Sequence, residues 1–187
     1  MDAGLHHLQG TAAHLTVVAL GSNLGDRRAH LAYAVSRLET LLERLRVSPF
    51  VESTFVGDPS LGPQPSYLNG VVVGSSSSDP ATLLRELHAI ERASGRTRPH
   101  AQAPRTLDLD LILMGNLTVR TPEVVIPHPR FRERRFVLEP LAAVAPDLVD
   151  PMSGRTVREL LAVLDEVDQP LPNRPSTLHS PGPREAM

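Results

Sequence analysis

The stretch Arg105-Thr106-Leu107-Asp108-Leu109-Asp110-Leu111-Ile112-Leu113 constrains this chain more than any other. Its leucines and aspartates alternate, and a period of two marks a β-strand with one buried face. Leu107, Leu109, Leu111 and Leu113 then share one face. Asp108 and Asp110 share the other, roughly 7 Å apart at Cα. Two carboxylates held on a rigid strand can bind a hard cation, since Mg²⁺ takes oxygen ligands and usually combines one or two carboxylates with substrate phosphates. Taken alone, the pattern fits an amphipathic strand with a solvated acidic face better. The surrounding residues shift that balance.

The rest of the chain reads in a definite order. Residues 15–20 (LTVVAL) form a buried strand ending at Gly21. Gly21 to Asp26 is a turn, with Asp26 placed to cap a helix. Leu31, Val35, Leu38, Leu42 and Leu45 recur at helical spacing. Residues 47–56 read as a second strand, 57–66 as a Pro/Gly loop and 67–73 as a third strand. Asp79-Pro80 opens a helix with Leu83, Leu84, Leu87 and Ile90 on its apolar face, ended by Gly95. A polar, Arg-rich loop leads into the fourth strand at 107–113, and 136–144 and 157–164 read as helices. Strand-helix-strand-strand-helix-strand is the split βαβ order, so an α+β fold is expected: a mainly antiparallel sheet packed with helices. A length of 187 residues suits a single domain. Residues 1–14 are expected to be a flexible lead-in, 15–166 the folded domain, and 167–187 a Pro-rich, disordered tail.

Composition removes whole classes of chemistry. There is no cysteine, so disulfides, thiol nucleophiles and thiolate metal sites are excluded. All 19 basic residues are arginine, which excludes a P-loop lysine and a Schiff-base lysine. A net charge of −2 supplies no global field for nucleic acid or anionic membrane. With no signal-like N-terminus and no membrane-length apolar run, a cytoplasmic protein without membrane partners is expected.

The arginines fall in two clusters beside the acidic strand. Arg96, Arg98 and Arg105 lie just upstream, and Arg130, Arg132, Arg134 and Arg135 follow His128. Carboxylates able to hold metal, flanked by guanidiniums, suggest a polyphosphate site. Arg132 and Arg135 taken singly read as solvated charges. His128 stands between Pro127 and Pro129, which stiffen its backbone. Tyr67 and Asn69 share a strand face that suits a flat heterocycle, although an ordinary core tyrosine fits the same pattern. Ser22, in Gly-Ser-Asn-Leu-Gly, reads as turn chemistry.

Together, GSNLGD after the first strand, YLN at Tyr67, Gly95-Arg96 followed by PRTLDLDLIL, and IPHPRFRERRFVLEPLAAVAPD resemble one family. It is the 6-hydroxymethyl-7,8-dihydropterin pyrophosphokinases of folate biosynthesis, and the resemblance runs from about Thr16 to about Leu161. It implies a ferredoxin-like core and transfer of the pyrophosphoryl group of ATP to the pterin hydroxymethyl oxygen, with release of AMP. Two Mg²⁺ ions are implied on Asp108 and Asp110. Tyr67 and Phe136 match the rings that sandwich the pterin, Asn69 the residue bonding its edge, and Ser53, Thr54, Phe55 and Val56 the first pterin-loop positions. Arg96 and Arg105 match phosphate-contacting arginines of a mobile catalytic loop that also contains Arg98. His88, Glu91, Leu111, His128 and Arg134 match nucleotide contacts. The partners implied are small molecules, with no nucleic acid and no membrane, and the chain is expected to act as a monomer. Two other readings stay open on the residues alone. One is an RNA-binding module on a ferredoxin-like sheet, which six aromatics serve poorly. The other is a metal-dependent glycosyl- or nucleotidyltransferase using the Asp-x-Asp pair.

Overall fold

In a computed structural model, which describes residues 12–55, 64–95 and 103–168, the elements follow in order. They are β1 (His14–Ser22), α1 (Arg27–Leu38), β2 (Glu43–Val47), β3 (Val51–Ser53), β4 (Tyr67–Ser76), α2 (Pro80–Ala93) and β5 (Asp108–Met114). A small hairpin of β6 (Val119–Arg120) and β7 (Val125–Ile126), a 3-10 turn (Phe131–Glu133), α3 (Arg135–Val144) and α4 (Val157–Asp168) complete them. The main sheet runs β2-β4-β1-β5, and every pair in it is antiparallel. β1 lines one side of β4 throughout, so β3 shares the other side with β2. The α+β architecture, an antiparallel sheet packed with helices, is the one expected.

Helices α1, α2 and α4 each start at a capping side chain. Asp26 accepts a hydrogen bond from the Ala29 N–H, and Asp79 from the Thr82 N–H with Pro80 as the first helical residue. Thr156 and Glu159 form a reciprocal capping box ahead of α4. Two apolar layers then form. Helices α1 and α2 bury Leu31, Leu38, Leu83 and Leu87 against Val18, Leu20, Val72, Leu109 and Leu111. Helices α3 and α4 bury Val137, Leu138, Leu141 and Leu160 against Val17, Ala19, Val71, Val73 and Ile112 on the opposite face.

Three local features differ from the sequence expectation. The first helix ends at Leu38, because the backbone N–H and hydroxyl of Thr40 both turn back to the Arg37 carbonyl. Leu42 is still buried, but Leu45 belongs to β2. The single strand expected at 47–56 is split into β2 and β3. Ser48 exchanges hydrogen bonds with the Val71 backbone through its own N–H and its hydroxyl, and Pro49 offers no N–H to continue the ladder. The Phe50 ring then occupies the space over Gly70, where a Cβ would lie 2.6 Å from its Cδ1. Finally, β5 carries a bulge: Val18 pairs with Leu111 but Val17 with Leu113. Leu113 therefore joins Ile112 on the α3/α4 face instead of sharing a face with Leu107, Leu109 and Leu111.

Arg132 is not a solvated charge. Its guanidinium grips the fully buried Asp150 with two bonds, Nε–H to Oδ2 at 2.7 Å and Nη2–H to Oδ1 at 2.6 Å. It also lies 4.6 Å over the centroid of the buried Phe131 ring. The Ser153 hydroxyl and the backbone N–H groups of Met152 and Ser153 complete the carboxylate's partners. Burial pushes the Asp150 carboxyl up, but these donors and the Arg132 charge outweigh it and hold the group below the usual carboxylate range. Arg135 forms a more exposed pair with Asp165.

Candidate active site

The register of the sheet assembles the site. Val51 on β3 stands opposite Asn69 on β4, Asn69 opposite Gly21 on β1, and Gly21 opposite Asp108 on β5. One row thus crosses four strands. Two residues away on either side, Ser53 pairs with Tyr67, and Val71, Ala19 and Asp110 form the next row. All of these positions share the face that carries the α3/α4 core. Where that core ends, the face opens into a cavity of about 850 Å³, and the first turn of α3 forms part of its opposite wall. Gly21 of β1 stands at the centre of this row, where a side chain would fill the space between its neighbours at ordinary contact distance. A Cβ on Gly21 would sit 3.4 Å from Asn69 Oδ1, 3.7 Å from Tyr67 Cδ1 and 3.9 Å from Asp108 Cβ.

One half of the cavity is aromatic and amide-lined. Ser53, Thr54, Phe55, Tyr67, Asn69 and Phe136 all line it. The Asn69 amide is buried, and its Nδ2–H donates to Ser53 Oγ at 2.9 Å, which fixes the carboxamide's orientation. Phe136 projects from the first turn of α3, with the Arg134 guanidinium 5.7 Å from its ring centroid.

The other half is charged. Arg105 Nη1–H donates to Asp108 Oδ2 at 2.7 Å, and Arg134 Nη1–H to Asp110 Oδ2 at 3.1 Å. The two carboxylate side chains keep 24% and 36% of their surface exposed, so both remain accessible from the cavity. His128 Nε2 lies 4.0 Å from Asp110 Oδ2. Its Nδ1 accepts the Arg130 backbone N–H at 3.2 Å, which leaves the proton on Nε2, facing Asp110. Burial lowers the His128 pKa; Asp110 opposes that shift, while Arg134 and Arg130 reinforce it.

The other expected positions fall elsewhere. His88, Glu91, Leu111 and His128 are not part of the cavity wall. Glu91 is 3% exposed, and its carboxylate accepts the Leu109 N–H at 2.8 Å, tying α2 to β5. Leu111 is buried in the α1/α2 core. Val56, Arg96 and Arg98 lie outside the described residues. Arg130 and Arg135 of the second arginine cluster also reach the wall, and three further charged wall residues, Glu52, Glu133 and Glu139, were not singled out from the sequence. Nor was Asn23, which is buried behind the site. The only sequence signal for Asn23 is its place in a Gly-Ser-Asn turn.

Two carboxylates, guanidiniums and an aromatic cleft in one cavity can hold a flat heterocycle beside a polyphosphate. Residues 17–146 match the family model for 7,8-dihydro-6-hydroxymethylpterin-pyrophosphokinase. The chain is 42% identical over 154 residues to the 2-amino-4-hydroxy-6-hydroxymethyldihydropteridine pyrophosphokinase of a Synechocystis species, covering 81% of this chain and 77% of that protein. It is 44% identical over 147 residues to the enzyme of the same name from Pseudomonas aeruginosa, covering 78% and 88% respectively. In fold it resembles a Plasmodium falciparum HPPK-DHPS protein solved with pterin and p-hydroxybenzoate, with a TM-score of 0.63 at 15% identity. That alignment covers 86% of this chain but only 45% of the larger protein. The chain belongs to the 7,8-dihydro-6-hydroxymethylpterin-pyrophosphokinase family.

Proposed function

We propose that the chain transfers the pyrophosphoryl group of ATP to the hydroxymethyl oxygen of 6-hydroxymethyl-7,8-dihydropterin, releasing AMP, and that residues 15–166 are the catalytic unit. The observation that carries this is the row across the sheet. It sets the Asn69 carboxamide and the Asp108 carboxylate on either side of Gly21, in one cavity with Tyr67 and Phe136.

The heterocycle lies in the aromatic half. Tyr67 and Phe136 supply its two faces, and Asn69 its edge contact, with Ser53, Thr54 and Phe55 beside it. This directs the hydroxymethyl group past Gly21, toward Asp108 and Asp110. Their oxygen-only donors, on one face of a rigid strand, suit Mg²⁺. Among the described residues no group of three or more His, Asp or Glu side chains could cage a metal. That arrangement suits an ion that completes its shell with water and phosphate oxygens. We assign two ions to this pair. Bound Mg²⁺ neutralises phosphate charge and polarises the phosphorus under attack. Arg105 and Arg134 each present five N–H donors, more than one carboxylate takes; Arg105 also gives its Nε–H to the Ala103 carbonyl, and the donors left over can meet phosphate oxygens. Displacement at phosphorus is mainly a matter of alignment and charge, so no strong general base is required. His88, Glu91, Arg96, Arg98, Leu111 and His128 remain candidates for nucleotide contacts.

The deciding experiment is product analysis after incubation with ATP, Mg²⁺ and the hydroxymethyl dihydropterin. Pterin-dependent AMP is expected; ADP as the only nucleotide product, or turnover indifferent to pterin, would overturn the assignment. Phe136→Ala is expected to weaken pterin binding by roughly 10- to 100-fold, the loss typical of one stacking ring. Titration calorimetry with the pterin checks this, and nucleotide affinity should change little.

A further inference from the structure

Asn23, in the turn between β1 and α1, is 1% exposed and bonded to two segments remote in sequence. On one side it meets Arg105 twice: its N–H donates to the Arg105 carbonyl at 3.1 Å, and its Oδ1 accepts the Arg105 N–H at 2.8 Å. On the other side its Nδ2–H group donates to Gln64 Oε1 at 3.3 Å and to the Pro65 carbonyl at 3.4 Å. Arg27, four residues on, reinforces the second contact, donating to the Ser66 carbonyl at 2.8 Å and to Glu52 Oε1 at 2.9 Å. The hydroxyls of the neighbouring Ser22 and Thr106 are buried and find no partner among the described residues. The Asn23 carboxamide bonds to both of the remote segments.

These two segments lead into the two halves of the cavity. Residues 64–66 run directly into Tyr67 at the start of β4, and Arg105 leads within three residues to Asp108, which its own guanidinium also grips. A single carboxamide thus holds the approach to the aromatic half by its donor end and the approach to the charged half by its acceptor end. We propose that Asn23 is a positioning residue that couples occupancy of the heterocycle half to the geometry of the phosphate half. This rests on the pyrophosphokinase assignment. A pterin held by Tyr67 and Asn69 sets the position of residues 64–66 just ahead of β4, and through the Asn23 amide that of the Arg105 backbone and the arginine's approach to Asp108. Only a carboxamide does this. A carboxylate at position 23 keeps the acceptor for the Arg105 N–H but turns an oxygen toward Gln64 Oε1 and the Pro65 carbonyl, which are both acceptors.

The test measures binding of 6-hydroxymethylpterin and of a non-hydrolysable ATP analogue with Mg²⁺, each with and without the other. The parent protein should show each ligand tightening the other by the same factor, within the roughly 5- to 150-fold range usual for coupled sites. In Asn23→Ala that factor falls to about 1, while each ligand alone binds within about threefold of its parent affinity. kcat then falls by about 100-fold, as expected for a small misplacement of reacting groups. Asn23→Asp, which breaks one arm only, should lose most of the coupling and carries the same test if the alanine variant does not fold. A coupling factor unchanged in the folded variants overturns the proposal, as does a parent enzyme that makes AMP but shows no coupling. A parent protein that makes no pterin-dependent AMP fails the assignment itself, and the proposal with it.

Discussion

Asp110→Asn should leave a folded protein whose pyrophosphoryl transfer is slower by about 10³-fold or more, equivalent to about 4 kcal/mol of barrier. The substitution keeps shape and removes charge. Asp110 sits on β5 between the Asp108 row and the bulge, with more than a third of its side chain exposed and Arg134 as its close partner, so folding does not depend on it. The loss falls on the reaction because a neutral amide neither holds a divalent cation nor balances the guanidinium beside it. Asp108→Asn should behave alike, and the double variant should be little worse than either single one, since groups acting as a unit are not additive. AMP formation at saturating substrates measures the loss. A titration with Mg²⁺ should show weakened activation by the ion. Retention of kcat within tenfold in both single variants would remove these residues from the metal site.

Asp150→Ala should cost about 3 kcal/mol of stability, the low end for breaking a buried ion pair, because Arg132 retains a route to solvent. For a domain of this size that lowers the thermal midpoint by roughly 6–12 °C. The variant strips the acceptor from Arg132, from the Ser153 hydroxyl and from two backbone N–H groups at once. Asp150→Asn should cost less, because it keeps one oxygen. The same carboxylate makes stability depend on pH with a definite sign. Its pKa is depressed in the folded state. Its contribution is therefore complete above the unfolded-state value and is lost as pH falls through the folded one. Calorimetric melting from neutral to acid pH should show the parent losing stability more steeply than Asp150→Ala below the ordinary carboxylate range. Parallel curves would assign the acid sensitivity to other groups.

The sequence makes some of this legible and hides the rest for identifiable reasons. Alternation in Leu107 to Asp110 placed the carboxylates on one face, and the capping residues Asp26 and Asp79 placed the starts of α1 and α2. The bulge was invisible because Leu111, Ile112 and Leu113 are all apolar, so either face of a two-sided sheet accepts them. The end of α1 was obscured because Leu42 keeps the helical spacing and is buried by a turn instead. Charge partners distant in sequence leave no local trace. Arg132 reaches Asp150 eighteen residues on, and Asn23 reaches Arg105 across 82. The aromatic half was legible as chemistry at Tyr67 and Asn69, but Phe136 entered only through resemblance, since nothing local sets it apart from a core phenylalanine.

Gly21 has a bearing on inhibitors that span the cavity. A compound reaching from the aromatic half to the carboxylates must cross the row at a residue that presents only main chain. Every substitution there adds atoms, and the first of them already stands at contact distance from Asn69, Tyr67 and Asp108. A resistance change at this position would narrow the passage for substrate and drug alike. Contacts made to the Gly21 backbone are therefore harder to escape by point mutation than contacts to the exposed arginines and glutamates of the rim.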